Sequence, residues 1–227
     1  MNGGNMELKN VIYDGSVIAI SGVDSAYYPR NLTKQVIDAD VRDLTVIFNE
    51  LNAESEGISE LTCDVVELVK SGKVTKLITS HLGALAREWE KHLDEVEILP
   101  MDILNFKIQA GANRIAGICV KKDYALLYRS EQWVRDHLVS GGEYVMEEAI
   151  NADVSLVLAD IIDPDNLHLA WNGTAFNCMD VARCGNMCFV EALKIDKLGY
   201  DDVDVPGQYV TGWIKSTEDS FRKYNWE

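Results

Sequence analysis

Asp14-Gly15-Ser16-Val17-Ile18-Ala19-Ile20-Ser21-Gly22-Val23-Asp24-Ser25-Ala26-Tyr27-Tyr28-Pro29 is the stretch whose reading decides the fold. An Asp-Gly turn leads into four consecutive apolar residues, Val17 to Ile20, and then into the small pair Ser21-Gly22. Consecutive apolar positions, without polar alternation, are what a strand covered on both faces requires. Small residues after such a strand let backbone approach a ligand closely, and a proline then opens a helix. By its residues alone this loop is either a ligand loop or a simple turn. It is not GxGxxG, and no Walker loop occurs in the chain, so nucleotide hydrolysis has no support.

Runs of the same character recur outward from that stretch: Leu44 to Phe48, Lys76 to Ser80, Ile115 to Val120, Val154 to Ala159 and Cys188 to Leu193. Between them lie helix candidates. In Glu60 to Lys70, Leu61, Val65 and Leu68 recur at helical spacing, and Ser71-Gly72 stops the pattern. Ala84 to Leu93, Ile103 to Ala110, Glu143 to Ala152 and Cys178 to Cys184 are the others. Alternating order predicts an α/β fold: an open, mostly parallel sheet with helices on both faces. Pro29, Pro100, Pro164 and Pro206 all fall at expected element ends, and no linker divides the chain, so residues 1–227 read as one domain. Ligands of such sheets gather beyond the carboxyl ends of the strands. That rule points to segments 21–28, 49–57, 81–84 and 100–102.

The composition narrows the function. Of 227 residues, 47% are hydrophobic and 26% charged, an ordinary globular balance, but the net charge is −16. An acidic chain lacks the basic surface that nucleic acid requires, so no nucleic-acid partner is expected. No apolar run reaches 18 residues and the amino terminus lacks a basic, then apolar, leader. The expectation is therefore a cytoplasmic protein without a membrane partner. The five cysteines form no CxxC pair and the four histidines no HExxH, so reduced, mostly buried thiols and no metal site are expected. Trp89, Trp133, Trp171, Trp213 and Trp226 are dispersed and read as core or interface.

Motif order says more than any single motif. Asp14-Gly15, Ile18-Ala19-Ile20, Gly22 and Pro29 are followed by Asp43-Leu44-Thr45-Val46-Ile47-Phe48-Asn49 and by Val74-Thr75-Lys76-Leu77-Ile78-Thr79-Ser80-His81-Leu82-Gly83. Glu95-Val96-Glu97-Ile98-Leu99-Pro100-Met101-Asp102 leads on to Gln109-Ala110-Gly111. Tyr144 to Ala149, Ala152-Asp153-Val154, Ala159, Asp163, Asn166, Phe176-Asn177 and Val203 to Val210 complete the series. In this order and spacing the chain resembles the α-type subunit of family I CoA-transferases over roughly residues 14 to 211. The resemblance implies the CoA-transferase fold, a CoA thioester as substrate with no permanently bound cofactor, and CoA transfer between an acyl-CoA and a free carboxylic acid. It also implies a β-type partner subunit that carries the catalytic glutamate in a Ser-Glu-Asn-Gly motif, which is absent here.

The resemblance further implies that Ser21, Gly22, Val23, Asn49 and Met101 face CoA or the acyl group. Several of these depart from the family pattern: Ser21 and Val23 replace Gly and Phe, Glu50 an Asn, Met101 a Gln and His81 a Tyr. Methionine has neither the donor nor the acceptor of glutamine. Three side chains remain catalytic candidates, each beside a plainer reading. Glu50 is a cleft base or nucleophile, or a loop acid; Asp102 faces substrate or caps the helix at Ile103; His81 is an acid or base, or an ordinary loop or core histidine. The superfamily also contains CoA-thioester hydrolases, and a non-catalytic structural subunit would tolerate the same substitutions. If the nucleophile lies on a partner, this chain purified alone will show no transferase turnover, and robust activity without a partner would contradict the subunit reading.

Overall fold

The computed structural model describes residues 6–22, 28–49, 64–82, 90–171 and 177–216. In chain order the elements that position the site are β1 (Val17–Ile20), α1 (Arg30–Asp38), β2 (Leu44–Phe48), α2 (Asp64–Lys70), β3 (Val74–Thr79) and β4 (Glu95–Ile98). They continue with α3 (Met101–Ala112), β5 (Gly117–Lys121), α4 (Lys122–Ala125), α5 (Glu131–Asp136), β6 (Leu138–Val139) and β7 (Tyr144–Glu148). The last are β8 (Ala152–Asp163), β9 (His168–Ala170), α6 (Cys178–Cys184), β10 (Gly185–Ile195) and β11 (Gly212–Lys215).

Among the described residues the main sheet runs β11-β10-β8-β1-β2-β3-β4, with β9 added to β8. Every pairing along that path is parallel, and the β8–β9 hairpin is antiparallel. Successive side chains of a strand point to opposite faces, and both faces here are apolar. Ile18, Ile20, Val46 and Phe48 pack with Leu32 and Val36 of α1 and with Val65, Leu68 and Val69 of α2. Ala19 and Ile47 face the other way, onto Ile103, Leu104 and Ile108 of α3 and Val181 and Ala182 of α6. This two-sided burial explains the unbroken apolar runs of the first two strands. It also bears out the open, mostly parallel sheet with helices on both faces.

Two expectations are corrected. The segment Glu143 to Ala152, expected as a helix, contains strand β7, and the expected parallel strand at Ile115 to Val120 is β5; both belong to a separate antiparallel sheet of order β5-β7-β6. Along β7 the inward positions are Val145 and Glu147, so one of the two buried side chains is charged. A period-two apolar signal is erased when an inward position carries an acid. Helix α2 is described from Asp64, and of the expected helix from Ala84 to Leu93 only residues 90–93 lie within the described residues, with a short turn at Glu90–His92.

Glu147 is fixed by the charges that tie the small sheet to the edge of the large one. Lys107 Nζ of α3 lies 2.8 Å from its Oε2, and Arg129 Nη2 lies 2.7 Å from the same oxygen. Arg129 also reaches Glu97 of β4 at 2.7 Å, and Lys76 of β3 reaches Glu97 at 3.4 Å. Burial pushes both carboxyls up, but the adjoining Arg129 and lysines more than reverse this and hold both below their ordinary values. Close packing of α3 beside this region needs Gly111, where an added Cβ would stand 1.8 Å from the Ile150 carbonyl oxygen. No described helix is long and apolar enough to cross a membrane.

A testable consequence concerns Glu147, whose side chain is 1% exposed. Glu147→Ala leaves the buried charges of Lys107 and Arg129 to share Glu97 as their remaining acidic partner among the described residues, and is expected to cost about 3 kcal/mol in urea denaturation. Because the folded carboxyls titrate lower than the unfolded ones, their contribution is complete above the ordinary carboxyl range. It is lost as pH falls through the depressed folded values. The wild-type chain should therefore lose stability on acidification more steeply than Glu147→Gln.

Candidate active site

The chain leaves β1 in two directions. β2, β3 and β4 extend to one side, while β8, β10 and β11 lie on the other, so the switch point falls between β1 and β8. In open parallel sheets ligands bind at that crevice. Four loop starts share its carboxyl edge: Ser21-Gly22 after β1, Asn49 after β2, Ser80-His81 after β3 and Leu99-Pro100-Met101 after β4. At ordinary strand spacing these span about 14 Å.

Ser21 is wholly buried. Its N–H donates to the Leu156 carbonyl at 2.9 Å, and its Oγ accepts from the Leu158 N–H at 3.2 Å. The hydroxyl thus continues the β1–β8 pairing by one side-chain bond. Gly22 follows at φ 132, a backbone region that glycine enters without strain. Val23 and Glu50 lie outside the described residues, as does the rest of segment 49–57 beyond Asn49.

Asn49 is 1% exposed. Its carbonyl accepts from Ser80 N at 2.8 Å, from Thr79 Oγ1 at 3.3 Å and from Ser80 Oγ, which pins β2 to β3 at their shared end. Its side chain is different: neither Oδ1 nor Nδ2 has a hydrogen-bond partner among the described residues. An unpaired buried amide costs roughly 1–3 kcal/mol, so such groups are rare and call for an explanation.

The other candidates are placed less favourably for chemistry. His81 is exposed, and its backbone is held by Thr79 Oγ1, which donates to the His81 carbonyl at 3.1 Å. Met101, 37% exposed, opens α3. The helix therefore starts before Ile103, with Pro100 at the capping position, and Asp102 stands within the first turn. Its Oδ1 accepts from the Ile103 N–H at 2.9 Å, and Tyr124 Oη donates to Oδ2 at 3.0 Å. An acid there suits the positive end of the helix, and the Asp102 hydrogen bond in turn pushes the Tyr124 phenol above its ordinary value. Ser130-Glu131-Gln132, an echo of a glutamate motif, is an exposed helix start in which Ser130 Oγ accepts from the Trp133 N–H.

Three buried thiols are unreactive by environment. Cys178, at the start of α6 beside Ser21, is 2% exposed, and burial pushes its thiol up to about 11. Burial likewise raises Cys184 and Cys188 to about 12. Since the thiolate is the nucleophile, all three are protonated near neutral pH. Cys119 is exposed on β5, away from the crevice, and the four described cysteines are all free. Sequence reasoning placed Asn177 in the motif series but not among the site residues. It takes a left-handed conformation at φ 53, donates from Nδ2 to Asn105 Oδ1 at 3.4 Å, and its own Oδ1 has no partner among the described residues. An asparagine before a helix was the available signal. Two clefts, of about 490 and 470 Å³, lie away from the crevice, one beside Glu97 and Arg129 and the other beside Leu8 and Trp213.

A family model described as Coenzyme A transferase matches residues 6–212. A probable coenzyme A transferase subunit alpha of Bacillus subtilis is 29% identical over 225 residues, covering 95% of this chain and 93% of that one. The acetoacetyl-CoA:acetate/butyrate CoA transferase alpha subunit of Clostridium acetobutylicum is 26% identical, covering 92% and 94%. Among solved structures, an acyl-CoA transferase from Escherichia coli O157:H7 superposes with a TM-score of 0.74 at 17% identity, covering 99% of this chain and 49% of that one. Glutaconate coenzyme A-transferase from Acidaminococcus fermentans gives 0.71 at 18%, covering 95% and 76%. At those identities the structural likeness concerns the fold.

If Asn49 keeps its amide unpaired for a ligand, the isolated chain is more stable without it. Asn49→Val, apolar and near in volume, should raise the unfolding free energy by about 1 kcal/mol in urea titration. A loss of that size would mean that the amide is satisfied within this chain.

Proposed function

The chain belongs to the coenzyme A transferase family, and we propose that it is the α subunit of a hetero-oligomeric CoA-transferase. The enzyme moves CoA between an acyl-CoA and a free carboxylic acid. The observation that carries this reading is the extent of the likeness: separate alpha subunits match this chain nearly end to end, covering 93% and 94% of their own lengths. A chain that corresponds to one subunit, and that lacks a Ser-Glu-Asn-Gly motif, leaves the nucleophile to a β-type partner.

The chemistry then divides between the subunits. The partner's glutamate attacks the thioester carbonyl, the C–S bond breaks, and CoA leaves as thiolate from an acyl-glutamyl anhydride. The thiolate attacks the glutamyl carbonyl and releases the first acid, leaving CoA on the glutamate. The second acid reverses these steps and departs as the new acyl-CoA. No proton is lost or gained overall, and kinetics of the ping-pong type follow. Binding energy from the long CoA arm, remote from the reacting carbon, offsets the cost of the reactive anhydride.

This chain supplies one wall of the crevice. Asn49, with donor and acceptor both unpaired among the described residues, is the group best suited to hydrogen-bond the acyl carbonyl as it gains charge. Gly22 gives backbone access, and Met101 offers an apolar surface. Glu50, His81 and Asp102 stay secondary candidates, with Asp102 already engaged by Tyr124. CoA is substrate here, not a resident cofactor.

The complex, co-purified from native expression, can be assayed with a panel of acyl-CoAs in the presence and absence of acetate. Transfer that requires the acceptor is expected. CoA release at the same rate without an acceptor would instead assign a hydrolase and direct attention to Glu50 and Asp102. Asn49→Val should lower kcat/KM by about 10²-fold or more, the usual scale for losing one donor to a developing oxyanion.

A further inference from the structure

Large apolar side chains stand exposed in two short stretches that the fold brings together at one corner. Ile98 and Met101 flank the passage from β4 into α3, and Phe106, 52% exposed, lies one turn beyond Asp102 on the same face of α3. Tyr124, Leu126 and Leu127 belong to α4 and the turn that follows it, and Leu127 is 77% exposed. Tyr124 Oη, 3.0 Å from Asp102 Oδ2, joins the second stretch to the first.

The second stretch is fixed at both ends. Beyond the Tyr124 hydrogen bond, the Tyr124 ring packs edge-on against Tyr128 with centroids 5.9 Å apart, and Arg129 is held by Glu97 of β4 at 2.7 Å. The patch is therefore preformed, and a partner does not have to order it on binding. β4 is the last strand of the main sheet among the described residues, so the corner lies at the sheet's open edge. Met101 belongs both to this patch and to the carboxyl rim of the crevice.

Scattered apolar side chains on a surface need no explanation, but a contiguous group marks a contact surface. Its position says what covers it. The four rim loops span about 14 Å, whereas one side of a standard interface, roughly 800 Å², is about 30 Å across. A body that delivers a glutamate to the switch point therefore overhangs the rim, and toward β4 it meets this patch. A second copy fits worse. It would set two chains of net charge −16 face to face and close each crevice with a chain that lacks the nucleophile motif.

We infer that the corner formed by the β4–α3 passage and α4 is the docking surface for the β-type partner, whose matching face is apolar and closes over the β4 side of the crevice. The inference rests on the two-chain coenzyme A reading above.

The test uses the co-purified complex and two variants, Leu127→Ala and Phe106→Ala. Tyr13→Ala is the control, because exposed Tyr13 precedes β1 and so lies at the opposite edge of the sheet. Dissociation on dilution, followed by sedimentation velocity, should show Kd raised about tenfold or more in each patch variant, the scale of one buried leucine or phenylalanine side chain. The control should stay within about twofold of wild type. At concentrations that keep the variants assembled, kcat and KM should match wild type. A Kd within about twofold of wild type in both patch variants would overturn the inference, whether or not activity is lost. So would a complex made of this chain alone that the same variants loosen, since that would assign the corner to a second copy. A two-chain complex that the variants loosen, but that transfers CoA to no acid, would count against the coenzyme A reading and leave the docking surface standing.

Discussion

The parallel ladder between β1 and β8 joins two halves of the sheet that are otherwise far apart in sequence. Ile18, Ala19 and Ile20 pair with Val154, Ser155 and Leu156. On one side of this seam lie β2, β3 and β4, and on the other β10 and β11. The crevice exists because the chain departs from the seam in both directions. Ser21 lengthens the seam beyond the last strand residue by its N–H and its hydroxyl. The family resemblance places a glycine there. A serine fits because its side chain turns inward and substitutes for one further ladder bond, not because the position is open.

Along the crevice the polar groups fall into two kinds. Most are committed internally: Ser21 to β8, Asp102 to Tyr124, and Glu191 to α1 and Ser216. The buried thiols are kept protonated by their surroundings. Asn49 differs, since its backbone is tied down while its amide is left without partners among the described residues. A rigid mount with an unsatisfied head is the arrangement expected of a group held ready for a ligand, at a cost in stability. A wall of hydrogen-bonding and apolar groups, with no activated nucleophile among the described residues, fits one half of a two-chain site.

Much of the fold was legible in the residues. The apolar runs at Val17 to Ile20 and Leu44 to Phe48 coincide with β1 and β2, and Cys178 to Cys184 coincides with α6. Those strands are buried on both faces, so propensity and burial agree. The misreading at Glu143 to Ala152 came from Glu147, an inward acid whose partners Lys107 and Arg129 lie on other elements. Local patterning does not register a charge that is neutralised by tertiary contacts. Glu191 was hidden for the same reason, as a single acid inside an apolar strand whose partners sit at the start of a helix 160 residues earlier. The carboxyl ends of the strands, and with them Asn49, were legible from the α/β order alone. That the Asn49 amide is buried yet unpaired was not, because burial at a strand end depends on what packs over it.

The central claim is that this chain shapes the site while its partner carries the covalent step. The most direct measurement is to incubate the assembled complex with acyl-CoA, trap the intermediate with borohydride or hydroxylamine, and locate the modified residue by peptide mass spectrometry. The account predicts one modified glutamate, on the partner chain, and no modification of this one. A trapped carboxylate on this chain, at Glu50 or elsewhere, would contradict it.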